Sequence, residues 1–265
     1  MSLVDTIEWN RLTALIGVRH QKEQVEGGYN ASATSPSFGL MYKLNNNVSV
    51  YGNWMRGLIP GTEVRKEYAN KGQYLDPVKT TQREFGFKWD KGNLGGTLYY
   101  FHINQQVAYA DPVTNIYDYN GKQQSKGASF TVYGDITEKL HLLGGMSFMN
   151  VKNIGGTYDG NRYCGTPKWI GTLAMTYDVT DAFSLNTRLM YNSSAWADNK
   201  NTKKIGAWTR LDLGAKYKWT NMKNPMTLSC NVINVLGHKY WYGAGDNSVY
   251  LGTPRTFVVS LGIDF

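Results

Sequence analysis

Apolar and polar residues alternate over stretches of about ten positions along the whole chain, and clusters of turn residues separate one stretch from the next. No segment sustains an apolar stripe at helical spacing, so the chain reads as all-β. The last segment is the clearest. Phe257, Val259, Leu261, Ile263 and Phe265 fall on one face, and Val258, Ser260, Gly262 and Asp264 on the other. In 182–192, Phe183, Leu185, Leu189 and Tyr191 oppose Ser184, Asn186, Arg188 and Asn192. In 208–219, Leu211, Leu213, Ala215, Tyr217 and Trp219 oppose Arg210, Asp212, Gly214, Lys216 and Lys218. A face carrying Arg, Asp and Lys is too costly to bury in a dry core. It is expected to line a watery lumen, with the apolar face against lipid.

The pattern predicts about twelve strands, near 12–21, 36–44, 48–56, 79–90, 94–106, 122–134, 138–150, 167–178, 182–194, 206–219, 226–235 and 250–265. Their connections alternate in length. Asn45-Asn46-Asn47, Asp90-Lys91-Gly92-Asn93, Asp135-Ile136-Thr137, Val179-Thr180-Asp181 and the Thr220 to Pro225 stretch are short. Long polar segments lie near 22–35, 57–78, 107–121, 151–166, 195–205 and 236–249. Short periplasmic turns and long outer loops are the asymmetry of an outer-membrane barrel. It orients strand 12–21 outward and strand 250–265 inward, with Phe265 at the periplasmic rim. Trp89, Tyr177 and Trp219 each come last on the apolar face before a short turn, the place of an aromatic girdle at headgroup level.

Composition agrees with a membrane barrel. Of 265 residues, 14% are aromatic and only 18% charged, yet mean hydropathy is −0.43, the average expected when lipid-facing and lumen-facing residues alternate. No run of apolar residues is long enough for a transmembrane helix. The start, Met1-Ser2-Leu3-Val4-Asp5, has neither the basic nor the apolar region of a signal peptide, as expected of a truncated reading frame or of a piece cut from a longer chain. The net charge of +8 would suit nucleic acid, anionic lipopolysaccharide or an acidic ligand, or mark a piece of a more balanced whole. Cys164 and Cys230 lack metal-ligand spacing, and free thiols or a disulfide both fit them.

Catalytic chemistry finds no support. His20, His102, His141 and His238 are scattered without triad or metal-site spacing, so neither catalytic residues nor a protein-held metal is expected. Glycine pairs such as Gly95-Gly96 and Gly144-Gly145 fall inside strands, where curvature or bulges account for them. The outer connections are richer, with Tyr109, Tyr117 and Tyr119 in one, Tyr158 and Tyr163 in the next, Trp196 in a third, and Tyr240, Trp241 and Tyr242 in the last. Rings above a lumen suit stacking on a compact, hydrogen-bonding ligand; the alternative is that they pack the loops. The candidate binding residues are Tyr117, Tyr119, Tyr163, Trp196, Trp241 and Tyr242.

Several runs carry a family resemblance. They include Leu15-Ile16-Gly17-Val18-Arg19, Ser35-Pro36-Ser37-Phe38-Gly39-Leu40-Met41-Tyr42, Val48-Ser49-Val50-Tyr51-Gly52-Asn53 and Arg83-Glu84-Phe85-Gly86-Phe87-Lys88-Trp89. Arg210-Leu211-Asp212-Leu213-Gly214, Asn231-Val232-Ile233-Asn234-Val235-Leu236 and Gly252-Thr253-Pro254-Arg255-Thr256-Phe257, with the terminal Phe265, complete the set. In order and spacing they resemble the barrel of TonB-dependent outer-membrane siderophore receptors. Pro167-Lys168-Trp169, Asn201-Thr202 and Trp208-Thr209-Arg210 are similar to the ferrichrome and hydroxamate type.

The resemblance implies a plugged barrel of about 22 strands, of which residues 1–265 would be the C-terminal part. Asp5 to Trp9 would be the tail of the preceding strand, with the plug, the TonB-contacting box and the first strands lying upstream. It implies a receptor in the bacterial outer membrane that binds a ferric siderophore and imports it by TonB-coupled transport. Iron would arrive with the ligand, so no cofactor is expected. The implied partners are the ferric siderophore, TonB, and outer-membrane lipid and lipopolysaccharide, with no nucleic acid. The alternatives are a passive outer-membrane porin, a TonB-dependent receptor for cobalamin or a glycan, an outer-membrane enzyme, and a β-sandwich or lectin.

Overall fold

The computed structural model describes residues 1–25, 29–219, 221 and 224–263. Residues 264–265, and with them the proposed rim position of Phe265, lie outside the described residues, as do 26–28, 220 and 222–223. The strands are β1 (Ser2–Trp9), β2 (Leu12–Val25), β3 (Tyr29–Lys43), β4 (Val48–Ile59), β5 (Val78–Lys91), β6 (Leu94–Ala110), β7 (Tyr117–Thr137), β8 (Leu140–Gly155) and β9 (Trp169–Asp178). They continue with β10 (Phe183–Asn192), β11 (Ala195–Trp196), β12 (Lys204–Ile205), β13 (Trp208–Trp219), β14 (Met226–Ile233), β15 (Trp241–Gly245), β16 (Ser248–Leu251) and β17 (Thr256–Ile263). Thirteen of them form one sheet in the order β1 to β10, β13, β14, β17; β11–β12 and β15–β16 are separate two-stranded sheets. No helix among the described residues is long and apolar enough to cross a membrane.

The chain divides into two compact units. The first comprises Met1–Trp89, Leu98–Ala128 and Met149–Tyr163. Within it, the β4–β5 register pairs Val48 with Trp89, Val50 with Phe87, Gly52 with Phe85 and Trp54 with Arg83. Side chains alternate across a pleated strand, so Phe85, Phe87 and Trp89 share the apolar face. Tyr51, Glu84 and Lys88 take the other, where the Tyr51 hydroxyl donates to Glu84 Oε1 at 2.6 Å and the Lys88 ammonium lies 4.9 Å from the Tyr51 ring.

The second unit comprises Asp90–Thr97, Ser129–Phe148 and Cys164–Phe265. Here β13 pairs with β14 so that Leu213 meets Val232 and Gly214 meets Asn231, and β14 pairs with β17 through Cys230 and Val259. The apolar face is exposed from strand to strand: Leu185 of β10, Leu213 of β13 and Val259 of β17 are 44%, 43% and 69% exposed. Such exposure on contiguous strands has no place in water and marks a face made for another solvent. Trp219, stacked edge-on with Tyr217 at 4.8 Å, and Tyr177 stand on that face at strand ends before short turns. Trp9, which ends β1 and is largely exposed, holds the matching position.

Several expectations change. The predicted connections at 195–205 and 236–249 carry the β11–β12 and β15–β16 hairpins, and the predicted strand 250–265 is broken, its first residues closing β16 and the rest resuming as β17 at Thr256. Two further changes extend the ladders. The predicted long connection at 22–35 is mostly ladder, because the β2–β3 register continues to Val25 and Tyr29. Tyr117 and Tyr119 belong to β7 rather than to a loop. The cause is the same in both places. Alternation shows in a sequence only where the two faces of a strand meet opposite surroundings, whereas main-chain pairing continues past that stretch. Both cysteines are free, Cys164 buried and Cys230 exposed on the apolar face. Burial pushes the Cys164 thiol up.

Candidate functional site

The connections at the ends of the strands opposite the short turns carry the candidate residues, in two assemblies, one in each unit. In the second unit, the β11–β12 turn closes on Asp198, which is 2% exposed. Its carboxylate accepts from the Thr202 hydroxyl at 2.7 Å, the Thr202 amide at 3.0 Å and the Lys203 amide at 2.8 Å. The Thr202 hydroxyl, then the Lys203 and Thr202 amides, hold this carboxyl below the usual carboxylate range against the opposing effect of burial.

The same turn is tied to the β15–β16 hairpin. The Asn199 amide donates to Asp246 Oδ1 at 2.9 Å, the Asn247 amide to the Ala197 carbonyl at 2.8 Å, and Lys203 Nζ to Asn247 Oδ1 at 3.0 Å. A third segment joins them. The Gly165 amide donates to the Trp196 carbonyl at 2.7 Å, and the Cys164 amide to Asn199 Oδ1 at 3.2 Å. Gly165 (φ 71°) also passes so near Gly243 that a Cβ on Gly243 would lie 2.3 Å from the Gly165 Cα. Only glycine fits there.

These bonds bring together the hairpins carrying Trp196 and Trp241–Tyr242. Trp241 is 53% exposed, Tyr242 lies 5.7 Å from Tyr250, and the Lys204 ammonium stands 5.6 Å from the Trp196 ring. The connection after β14 is anchored by Asn234, which is fully buried. Its amide nitrogen Nδ2 donates to the His238 and Thr253 carbonyls, both at 2.9 Å, and its backbone N–H donates to Asp212 Oδ1 at 2.8 Å. Asp212 in turn pairs with Arg210 at 2.9 Å. Tyr240, buried nearby, stacks on Trp208 at 4.2 Å.

In the first unit, Tyr117 stacks on Tyr68 at 4.6 Å, and its backbone exchanges two hydrogen bonds with the Asn70 side chain. The Tyr119 hydroxyl donates to the Asp76 carbonyl at 2.8 Å. The 111–114 turn closes on Asp111, whose carboxyl the Thr114 amide, then the Val113 amide, hold below its usual range. The Tyr163 amide donates to the Val151 carbonyl at 3.0 Å, and the Tyr109 hydroxyl to Asn153 Oδ1 at 2.9 Å. The structure therefore gathers Tyr117 and Tyr119 about the 68–76 segment, and Trp196, Trp241 and Tyr242 in the other assembly. Tyr68, Asn70, Asp198 and Asn234 were missed in the sequence. The Asn234-Val235-Leu236-Gly237 turn, with positive φ at Asn234 and Gly237, was the one available signal among them.

His141, which has no triad or metal-site spacing in the sequence, has two carboxylate partners. Its Nδ1 meets Asp135 and its Nε2 meets Asp178 at 2.9 Å, which ties two neighbouring short turns together. No cluster of three or more metal-ligating side chains occurs among the described residues.

A profile of the TonB-dependent receptor-like β-barrel matches residues 2–235. The chain belongs to the TonB-dependent receptor family. It is part of an outer-membrane β-barrel of Gram-negative bacteria, which assigns the apolar face to lipid and the polar face to the lumen. The long connections then lie outside the cell and the short turns in the periplasm. Among its relatives, the ferrichrome receptor FcuA of Yersinia enterocolitica is 28% identical over 289 residues, covering 100% of this chain and 38% of FcuA. The metal-pseudopaline receptor CntO of Pseudomonas aeruginosa is 26% identical over 296 residues, covering 100% of this chain and 40% of CntO. The crystal structure of BauA, the ferric preacinetobactin receptor of Acinetobacter baumannii, superposes with a TM-score of 0.88 at 28% identity, over 100% of this chain and 42% of BauA. This TonB-dependent receptor barrel thus spans about two fifths of the length of these relatives.

Proposed function

We propose that the receptor to which this barrel segment belongs binds a ferric siderophore at its extracellular face and imports it by TonB-coupled active transport. Supporting this, two matches that cover the whole of this chain name iron-chelate receptors, for ferrichrome and for ferric preacinetobactin. The observation that carries the reading on this chain is the cross-bonded outer assembly presenting Trp196, Trp241 and Tyr242. Aromatic faces held on a rigid frame capture a compact chelate without losing much entropy on binding. In this reading, residues 1–265 supply the C-terminal part of the barrel, and TonB acts through regions outside them. Iron enters with the ligand, so these residues orient and desolvate a chelate rather than coordinate metal.

Ferrichrome and other hydroxamates are the preferred ligand class, given the kinship to FcuA. Radio-iron uptake from ferrichrome, in cells whose only receptor is the full-length protein, tests this. Uptake that requires TonB is expected. TonB-independent passage of small solutes would point to a porin, and TonB-dependent uptake of cobalamin or a glycan, without any iron chelate, to another ligand class.

A further inference from the structure

His141 stands second in β8 and shares the lumen face with Thr176, its partner in β9, at the periplasmic end of the wall. Its ring bridges two hairpins. Nδ1 meets Asp135, near the end of β7, and Nε2 meets Asp178 Oδ2 at 2.9 Å, where β9 gives way to the turn before β10. The ring and both carboxylates are partly exposed, so protons reach them from the aqueous side.

The two bonds together fix the proton count of the ring. An ionised carboxylate only accepts, so each bond needs an N–H on the imidazole. The imidazolium cation carries one on each nitrogen, and the neutral ring carries one in all. Both bonds at once therefore require the cation. Loss of its proton leaves one carboxylate facing a nitrogen lone pair, which repels it.

The surroundings decide which carboxylate leaves. His141 and Asp178 line a polar basin of about 450 Å³ together with Glu138 and Lys139 of the β7–β8 turn and Lys216 and Lys218 of β13. Asp181 of the β9–β10 turn also lines it. On the far side, the Asp135 amide donates to the Asn93 carbonyl at 2.9 Å, in a turn that carries Asp90 and Lys91. Among the described residues, neither Lys216 nor Lys218 has a carboxylate within ion-pair distance. A released Asp178 carboxylate has these two ammonium groups to turn to, in the same basin.

We propose that His141 is a proton-operated latch at the periplasmic mouth of the barrel: the imidazolium clamps the β9–β10 turn to the end of β7, and its deprotonation frees that turn by releasing Asp178 toward Lys216 and Lys218. Closing takes up a proton that the open form lacks, so the clamp is present on the acid side of the imidazole titration and lost on the alkaline side. Because the short turns face the periplasm, the pH of that compartment sets the latch. The device is independent of which chelate the receptor imports.

The test is hydrogen exchange, read by mass spectrometry on the full-length receptor in micelles between about pH 5 and about pH 8, with exchange times scaled for the intrinsic pH dependence. In wild type the 178–183 turn is expected to lose protection about threefold as pH rises through that range, the size of a partly exposed ion pair. The 45–47 turn, which the Asn45 side chain closes without a histidine, is expected to show no step. His141→Gln removes the titrating ring and is expected to flatten the response at 178–183. Asp178→Asn is expected to flatten it with the ring in place, since an amide accepts from the imidazolium and donates to the neutral ring. Should His141→Gln fail to assemble, Asp178→Asn carries the test. A wild type without the step, or a step that persists in either variant, would overturn the assignment.

Discussion

The wall strands β13, β14 and β17 and the outer assembly around Asp198 and Asp246 belong to one unit, yet they are held by different bonds. The wall is set by main-chain ladders, and its side chains mostly sort between lipid and lumen, Arg210 and Asp212 of β13 being paired and bonded to the Asn234 backbone besides. The outer assembly contains short two-stranded ladders, but its segments are joined by individual carboxylates, amides and one glycine contact. A ladder tolerates most side-chain changes that respect the face. A cross-bonded connection fails when one buried acceptor is removed.

That contrast can be broken from either side. The largest effect is expected for a charge on the lipid face of the wall. Leu213→Arg should cost about 2–4 kcal/mol, read as a lowered urea midpoint in micelles. Nearly as large is Asn234→Ala, which strands the His238 and Thr253 carbonyls and should cost about 2–3 kcal/mol in the same assay. Gly243→Val, forced against the Gly165 backbone, should cost about 1–3 kcal/mol, seen as protease cleavage in the outer connections while the wall stays folded.

A smaller, pH-dependent effect is expected at Asp198. Its lowered folded pKa adds stability that is fully present above the unfolded carboxylate value of about 3.9 and is lost as pH falls through the folded value. Hydrogen exchange should show the Thr202 and Lys203 amides losing protection at acidic pH, and Asp198→Asn should weaken that dependence. The smallest effect is on the lumen face of the wall, where Ser229→Ala should change the urea midpoint by less than about 0.5 kcal/mol.

These differences also explain what the sequence revealed. The alternation in 208–219 and 257–263 was legible because lipid on one side and water on the other impose opposite demands on successive residues. Trp89, Tyr177 and Trp219 were legible because the girdle sits at a fixed place before a turn. The continuation of β2 and β3 to Val25 and Tyr29 was not, since a ladder whose two faces do not meet opposite surroundings leaves no period. The proposed site is marked in the sequence only as a region, by the aromatic content of the connections. Its supports were hidden, because partners of Asn199, Asn234 and His141 are chosen by tertiary contact, as in the bond from Asn199 to Asp246, while Asp198 closes a turn on Thr202 and Lys203 whose burial only the neighbouring hairpin supplies. The occupied faces of Tyr117 and Tyr119 were hidden for the same reason.

The proposed function places a ferric siderophore against the Trp241–Tyr242 hairpin of the outer assembly, which the Asp198 and Asp246 bonds hold. Tryptophan fluorescence of the full-length receptor titrated with ferrichrome tests it most directly. The account predicts saturable quenching, with affinity lowered about tenfold by Trp241→Ala with Tyr242→Ala at unchanged urea stability. Quenching by cobalamin or a glycan and by no ferric siderophore would contradict it, as would undiminished ferrichrome affinity in that double variant.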